Sequence, residues 1–206
     1  MLFLDEFPEF SRTAIEALRQ PLEDRVITVS RAKGSITFPA DFVLVATSNP
    51  CPCGYYGSDR DCSCMPSQII KYQKKISGPI LDRIDLYVDV DNVKHTNLLK
   101  ENTGAETSAG VRKRVSGAKQ LQNKRYQDGR VTNASLSNQQ IKAFCKLDAS
   151  SKDLLDTAAE RLKLSPRSYM RTIKVARTIA DLENSRMILP QHIGEALQYR
   201  RQAVEL

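Results

Sequence analysis

The sequence predicts an α/β domain, built on a mostly parallel sheet with a β-hairpin insertion, followed by an all-α domain. Two short apolar stretches in the first 90 residues each end in polar residues, as buried parallel strands do. Between them lies β-rich sequence around a turn, and beyond residue 91 strand signals nearly vanish while helix-capping signals recur. We therefore expect one domain over residues 1–92 and a second over residues 93–206.

The two predicted strands of the sheet both lead into polar tips. The first is Leu2–Leu4, which is followed directly by Asp5 and Glu6. The second covers residues 42–46 and runs into a polar segment that contains Asn49. Nearly continuous apolar sequence of this length is typical of strands that are covered on both faces.

A hairpin and two helices complete the first predicted domain. Residues 26–29 and 35–38 are β-rich and flank a turn that contains a glycine, which indicates a β-hairpin. Ser11 can cap a helix that ends before Pro21, and a further helix is expected over residues 66–76.

At least four helices are expected after residue 104. Ser137 and Gln140 have the spacing of a capping box, and Ser165 followed by Pro166 supplies a cap and a proline at the first helical position. Pro190 opens the last helix in the same way. The predicted helices cover residues 111–128, 137–147, 150–164, about 166–184, and the segment after residue 190.

The charge of the chain is uneven. Its net charge is +7, but residues 1–90 hold 10 Lys and Arg against 12 Asp and Glu, whereas residues 91–206 hold 21 against 12. A basic second half fits both nucleic-acid binding and a well-solvated surface, so charge does not decide between them. No apolar run approaches the roughly 20 residues of a membrane span, and the acidic start is unlike a signal peptide, so we expect a cytoplasmic protein.

Four polar residues are candidates for phosphate chemistry. A strand that delivers Asp5 and Glu6 suits a site where one carboxylate holds Mg²⁺ and the other polarises a water, although ordinary strands also end in two acids. The Asn49 amide can contact a γ-phosphate or orient water, but an Asn-Pro pair is usually only a turn. Arg83 can serve as an arginine finger for a neighbouring subunit, or form an intramolecular salt bridge.

Taken together, three strings resemble the magnesium-chelatase-like AAA+ ATPases of the ComM/YifB type: LFLDEFPEFSRTAIEALRQPLEDRVITVSRAKGSITFPADFVLVATSNPCPCG, SGPILDRIDLYVDV and LSPRSYMRTIKVARTIADLE. The resemblance implies a hexameric-ring ATPase that uses ATP and Mg²⁺. It implies a partial AAA+ core with a presensor hairpin and a Cys-rich loop, then a helical lid. By the family pattern Asp5 and Glu6 are Walker B, Asn49 is sensor 1, Arg83 is the finger acting in trans, and Arg167 is sensor 2. The resemblance also implies that the hairpin of residues 26–38 is the insertion before sensor 1 that points towards the central pore.

The predicted helix after residue 165 supports the assignment of Arg167. At about 100° per residue, Arg167, Arg171 and Lys174 share one arc of the helix, which predicts a basic face. Arg167 also lies near the helix N-terminus, where unpaired backbone N–H groups favour an anion. Arg171 and Lys174 receive no role.

One element of the family pattern is missing. No G-x-x-x-x-G-K-[ST] motif occurs in the 206 residues, so the loop that cradles the phosphates is absent from them. We expect the chain to be a C-terminal portion of such an ATPase, starting at Walker B, and to be unable to hydrolyse ATP by itself.

Four cysteines form a candidate metal site. Cys51, Cys53, Cys62 and Cys64 lie within 14 residues as two C-x-C pairs. Four thiolates suit tetrahedral Zn²⁺, and disulfides are disfavoured in a cytoplasmic protein, which leaves a zinc site or four reduced thiols. Bound zinc would fasten the loop, because a site with four protein ligands has no open catalytic position. Cys145 is expected to be a small buried side chain.

Three functions remain open at this stage. The first is an ATP-driven ring motor that remodels DNA or drives branch migration, as implied by the ComM-like resemblance. The second is a magnesium-chelatase motor subunit for porphyrin metallation, which the Cys-rich loop argues against. The third is a non-catalytic zinc- and nucleic-acid-binding module, whose DNA binding would be salt-sensitive and independent of nucleotide.

Overall fold

The computed structural model describes residues 1–90 and 106–200. The chain divides into two compact units, Met1–Ile84 and Asp85–Glu205. The first unit contains a small parallel sheet, a β-hairpin and short helices, and the second is helical apart from an isolated bridge. The predicted fold class is therefore confirmed.

The parallel sheet of the first unit has two strands, β1 (Leu2–Leu4) and β4 (Leu44–Ala46). Leu2 pairs with Leu44 and Leu4 pairs with Ala46. The second strand is shorter than the predicted span of residues 42–46, because β1 offers only three residues for pairing.

The predicted hairpin is confirmed as β2 (Val26–Arg31) and β3 (Gly34–Pro39), which pair antiparallel. Side chains alternate across it, so one face carries hydroxyl groups. Thr28 and Thr37 approach to 3.2 Å on this face, and Ser30 and Ser35 approach to 2.8 Å. The other face is apolar and exposed, and its members are Ile27, Val29, Ile36 and Phe38.

Short helices pack around this framework. They are a 3₁₀ turn (Phe7–Glu9), α1 (Arg12–Ala17), α2 (Arg19–Asp24), α3 (Pro66–Gln73) and α4 (Gly78–Leu81). The predicted helix before Pro21 is confirmed, because the Ser11 hydroxyl accepts a hydrogen bond from Ala14 N and α1 ends at Ala17. Pro21 lies in the first turn of α2, where its missing N–H has no helical partner to lose. Phe7, Ile15 and Ile80 form a buried apolar cluster in this unit.

The second unit contains α5 (Ser108–Tyr126), a 3₁₀ turn (Asn133–Ser135), α6 (Asn138–Phe144), α7 (Ala149–Arg161), α8 (Pro166–Leu182) and α9 (Pro190–Gln198). The predicted capping box is confirmed, since the Ser137 and Gln140 side chains each accept a hydrogen bond from the other residue's backbone N–H, at 3.3 and 2.8 Å. The Ser165 cap of α8 is confirmed as well. Helix α6 ends three residues before the predicted Leu147.

Helix α8 carries much of the core of this unit. Ile173, Ala176 and Ala180 on α8 are buried, and Cys145 packs in the same core with 4% of its surface exposed, as predicted. Among the described residues, no helix is both long enough and apolar enough to span a membrane.

A buried ionic network joins three segments of the second unit. The fully buried Asp181 carboxylate accepts hydrogen bonds from Arg125 at 2.5 and 3.0 Å and from Asn133 Nδ2 at 2.9 Å. Arg177 also contacts it at 3.0 Å and donates to the carbonyl oxygens of Ser185 and Arg186. One buried carboxylate is thus shared by two guanidinium groups, and two backbone carbonyl oxygens provide further partners for Arg177.

Candidate functional site

The polar tips of β1 and β4 lie at one edge of the sheet. The strands are parallel and in register, so the residues that follow them leave the sheet on the same side. Asp5 and Glu6 follow β1, and Thr47 follows β4. All three are solvent-exposed, so this edge is open to a ligand.

Thr47 ties the two strand ends together. Its hydroxyl donates to Asp5 Oδ1 at 2.5 Å and accepts from the backbone N–H of Glu6 at 2.9 Å. Its backbone N–H donates to Leu4 O at 3.0 Å, and its carbonyl accepts from Phe7 N at 2.8 Å. Thr47, which has no role predicted from the sequence, thus sets the orientation of the Asp5 carboxylate. Its position directly after a predicted strand was the one sequence feature that could have indicated a role at the sheet edge.

Glu6 has an unusual backbone. Its φ and ψ are both 50°, in the left-handed region that glycine favours. The other non-glycine residues with positive φ in the described chain, Arg25, Gln127, Lys163 and Asn184, follow helix C-termini, where this conformation is common. Glu6 instead follows a strand, and local strain of this kind is frequent at functional sites.

Asn49 lies two residues beyond Thr47 and is exposed. Within residues 1–90 and 106–200, no hydrogen bond joins its side chain to Asp5 or Glu6. A residue that contacts a γ-phosphate needs no bond to either carboxylate, because the nucleotide lies between them.

Arg83 is held inside the first unit. Its side chain is 10% exposed, its Nε lies 3.2 Å from Glu23 Oε2, and its Nη1 donates to Pro79 O at 2.6 Å. Of the two uses open to Arg83, a finger acting in trans and an internal salt bridge, the single chain forms the internal salt bridge. Glu23 was not foreseen as its partner.

Arg167 belongs to the second unit, where it occupies the second position of α8 and is exposed. The basic face predicted for this helix is partly used in internal contacts. Arg171 pairs with Asp85 at 2.5 Å, and Lys174 donates to Ala134 O at 3.1 Å. Arg167 is the member of the predicted face that lies closest to the helix N-terminus.

The four cysteines of the Cys-rich loop converge. Cys51 Sγ lies 3.4 Å from Cys53 Sγ and 3.7 Å from Cys62 Sγ, and Cys53 and Cys62 are 3.5 Å apart. All four sulfur atoms, including that of Cys64, lie within 4.8 Å of one another. Tetrahedral zinc with Zn–S bonds of about 2.3 Å separates its sulfurs by about 3.8 Å, so the cluster fits this ion.

The loop backbone and the thiol chemistry are consistent with a metal site. Gly54 and Gly57 have φ of 82° and 80°, which lets the chain fold back so that the two pairs meet. A backbone hydrogen bond from Tyr55 lowers the pKa of Cys53 to about 6, which favours the thiolate that metals bind. The Cys64 backbone lowers the pKa of Cys62, but burial and the neighbouring sulfurs outweigh it and raise the pKa to about 12. Cys53 and Cys62 therefore differ in the direction of their pKa shifts, and Cys53 is the more acidic of the two thiols.

Known protein families match nearly the whole chain. A family described as magnesium chelatase, subunit ChlI, matches residues 1–98, and one described as magnesium chelatase, subunit ChlI C-terminal, matches residues 105–200. The chain is similar to the competence protein ComM of Haemophilus influenzae, with 44% identity over 97% of the chain and 38% of that protein. It is 42% identical to the uncharacterized protein YifB of Escherichia coli, over 97% of the chain and 39% of that protein. The chain thus spans about two fifths of the length of these relatives.

Proposed function

Since the chain belongs to the magnesium chelatase family and has relatives of the ComM/YifB type, we propose that it is part of an ATP-driven, ring-forming AAA+ motor. The observation that carries this proposal is the junction of β1 and β4, where Thr47 bonds both Asp5 and Glu6. Two carboxylates and a polar segment at one edge of a parallel sheet form a site suited to nucleotide phosphates.

In this proposal each residue at the sheet edge has a separate task. Asp5 holds Mg²⁺, which neutralises charge on the transferred phosphoryl group. The Glu6 carboxylate orients and polarises the attacking water, while Asn49 donates its amide N–H to the γ-phosphate. The Thr47 hydroxyl keeps the Asp5 carboxylate in a fixed orientation, so that little reorganisation is needed during reaction.

Two arginines complete the proposed site. Arg83 acts in trans on the nucleotide of the neighbouring subunit in a hexameric ring, and it exchanges Glu23 for a phosphate when the ring assembles. Arg167, exposed at the N-terminal end of α8, contacts the nucleotide as sensor 2. Arg83 is therefore released from Glu23 to bind phosphate only when the ring assembles.

The proposed motor acts on DNA, through remodelling or branch migration. The similarity to a competence protein and the excess of Lys and Arg in residues 91–206 support this substrate. The 206 residues contain no phosphate-cradling loop, so we propose that they hydrolyse ATP only as part of a longer protein.

The four-cysteine cluster is proposed to bind one structural Zn²⁺. Its sulfur separations support tetrahedral coordination, and four protein ligands exclude a catalytic water. The role of the ion would be to hold the loop of residues 51–64 in one conformation. This loop begins two residues after Asn49. Loss of the metal is therefore expected to loosen the position of Asn49.

Two alternatives are separated from the motor by simple observations. A magnesium-chelatase motor for porphyrin metallation would have ATPase activity that responds to a porphyrin and its partner subunits, and not to DNA. A non-catalytic zinc- and nucleic-acid-binding module would bind DNA with the same affinity whether or not ATP is present.

ATP turnover by a longer protein that contains this chain and the phosphate-cradling loop tests the proposal. Glu6→Gln should lower kcat at least about 100-fold, because it removes the group that polarises water, while ATP binding persists. Glu160→Gln on the exposed side of α7 is the matched control and should leave kcat unchanged. Normal turnover by Glu6→Gln would contradict the proposed role.

A further inference from the structure

Helix α5 has an extreme composition. Its 19 residues include six Lys and Arg and no Asp or Glu. A helix face that serves only solubility normally mixes charges of both signs. The composition of α5 therefore indicates a partner of opposite charge.

Two of the six cations have acidic partners, and the other four share one face. Arg114 pairs with Glu106 at 2.5 Å, and Arg125 binds the buried Asp181. The remaining cations fall within an arc of about 140° at 100° per residue, and no ion pair is recorded for them in the described chain. They are Arg112, Lys113, Lys119 and Lys124.

This arc lies opposite the side by which α5 packs on its unit. The buried residues of the helix are Ala118 and Gln122, on the other side of the helical wheel. Within the arc, uncharged polar residues separate the cations: Ser116, Gln120 and Asn123, all exposed. The outward face of α5 is therefore cationic, polar and without an apolar anchor.

The dimensions of the face suit a nucleic-acid backbone. From Arg112 to Lys124 the helix rises by about 18 Å at 1.5 Å per residue. Phosphates follow one another every 3.4 Å along the axis of one DNA strand, so this length covers about five of them.

We propose that the outward face of α5, defined by Arg112, Lys113, Lys119 and Lys124, binds the sugar-phosphate backbone of DNA without regard to sequence. An anionic membrane is a poorer partner, because surface-binding helices insert an apolar face that α5 lacks on this side. An acidic protein is also a poorer partner, since protein interfaces are centred on apolar and aromatic residues. The inference deepens the proposed function, because it assigns the contact surface for the DNA substrate.

The test compares two variants with equal loss of charge. In the α5 variant, Arg112, Lys113, Lys119 and Lys124 are replaced by Gln, and in the control variant Lys142, Lys146, Lys152 and Arg161, which are exposed on or near α6 and α7, are replaced by Gln. The 206-residue chain is titrated against a fluorescent 20-base-pair duplex by anisotropy at several KCl concentrations, without nucleotide. Circular dichroism melting checks that both variants fold like the wild type.

For the α5 variant, the slope of log K against log[KCl], where K is the association constant for the duplex, should be smaller in magnitude by about 3 to 4 than for the wild type. Its affinity at 100 mM KCl should be at least about 100-fold lower. The control variant should keep nearly the wild-type slope. A double variant, Lys119→Gln with Lys124→Gln, should lose about half as much slope and provides a second reading if the quadruple variant is unstable.

Several results would overturn the inference. Equal losses in the α5 and control variants would mean that only net charge matters, and no DNA binding by the wild type would remove the surface altogether. If the α5 variant instead loses binding to phosphatidylserine vesicles while its DNA binding is unchanged, the face binds membranes. ATP turnover by the longer protein is measured separately, so the motor proposal can survive a failure of the α5 surface.

Discussion

Replacement of Thr47 by valine tests the junction between β1 and β4. Valine keeps the shape of threonine but removes the hydroxyl that donates to Asp5 Oδ1 and accepts from Glu6 N. At this exposed edge we take the low end of the usual range, about 1.5 kcal/mol for the bond to the carboxylate and about 0.5 kcal/mol for the amide bond. The total of about 2 kcal/mol corresponds to a fall of about 30-fold in kcat, if both bonds orient the site during reaction.

The assay is steady-state ATP hydrolysis by the longer protein, with the free energy of unfolding measured by urea titration beside it. Thr28→Val is the control, because it also removes one exposed hydroxyl bond, to Thr37 on the hairpin. The reasoning is refuted if Thr47→Val stays within about twofold of wild type, or if Thr28→Val lowers kcat equally.

Three further predictions concern the metal, the buried network and the acid limb of stability. Elemental analysis of the chain purified under reducing conditions should find one zinc, which Cys62→Ser should remove and Cys145→Ala should not; absence of zinc from the wild type would contradict the site. Asp181→Asn should lower the free energy of unfolding in urea by about 3–5 kcal/mol, since it leaves two arginines without their carboxylate, and a loss below about 1 kcal/mol would contradict the network. The hydrogen bond from Ser151 lowers the pKa of Asp148 in the folded protein below its usual value. The stability that the ionised Asp148 contributes is therefore complete above about pH 4 and is lost as the pH falls through the pKa of Asp148 in the folded protein. Asp148→Asn keeps a side chain that can cap α7 but cannot ionise, so Tm should fall less steeply as the pH drops below about 4. The same fall in Tm as in the wild type would refute this role of Asp148.

Local signals predicted the helices of the second unit well. The Ser165-Pro166 start of α8 and the Ser137 capping box depend on residues within one turn of each other, and both are present. The basic face predicted for α8 likewise leaves the opposite side of the helix to Ile173, Ala176 and Ala180, which are buried. Each of these features depends on residues that are close together in the sequence, so local sequence patterns predict them.

Features that depend on distant residues were not predicted. Arg125 and Asp181 are separated by 56 positions, and Thr47 and Asp5 by 42, so no local pattern links them. The salt bridge between Arg83 and Glu23 arises in the same way from packing. The left-handed backbone of Glu6 was also unforeseen, because glutamate has no preference for it. The second strand was predicted too long because its partner sets the extent of pairing.

The chemistry of the site was only partly predictable. The four cysteines could be paired with a metal from composition and spacing, and their sulfur atoms lie together. In contrast, the roles of Asp5, Asn49, Arg83 and Arg167 rest on family resemblance, since each residue type has ordinary structural uses. Thr47 shows what the structure adds, because no local pattern links its hydroxyl to Asp5 and Glu6, which lie 42 and 41 positions away.

The proposed ring ATPase is tested most directly by mixing subunits. Arg83→Ala protein is added to wild-type protein of the longer form at constant total concentration, and ATP turnover is measured against the mutant fraction. If Arg83 completes the site of a neighbouring subunit, the inactive protein should lower the turnover of wild-type subunits, so activity falls more steeply than the wild-type fraction. A linear decline, in which each wild-type subunit keeps its full turnover beside mutant neighbours, would contradict the account.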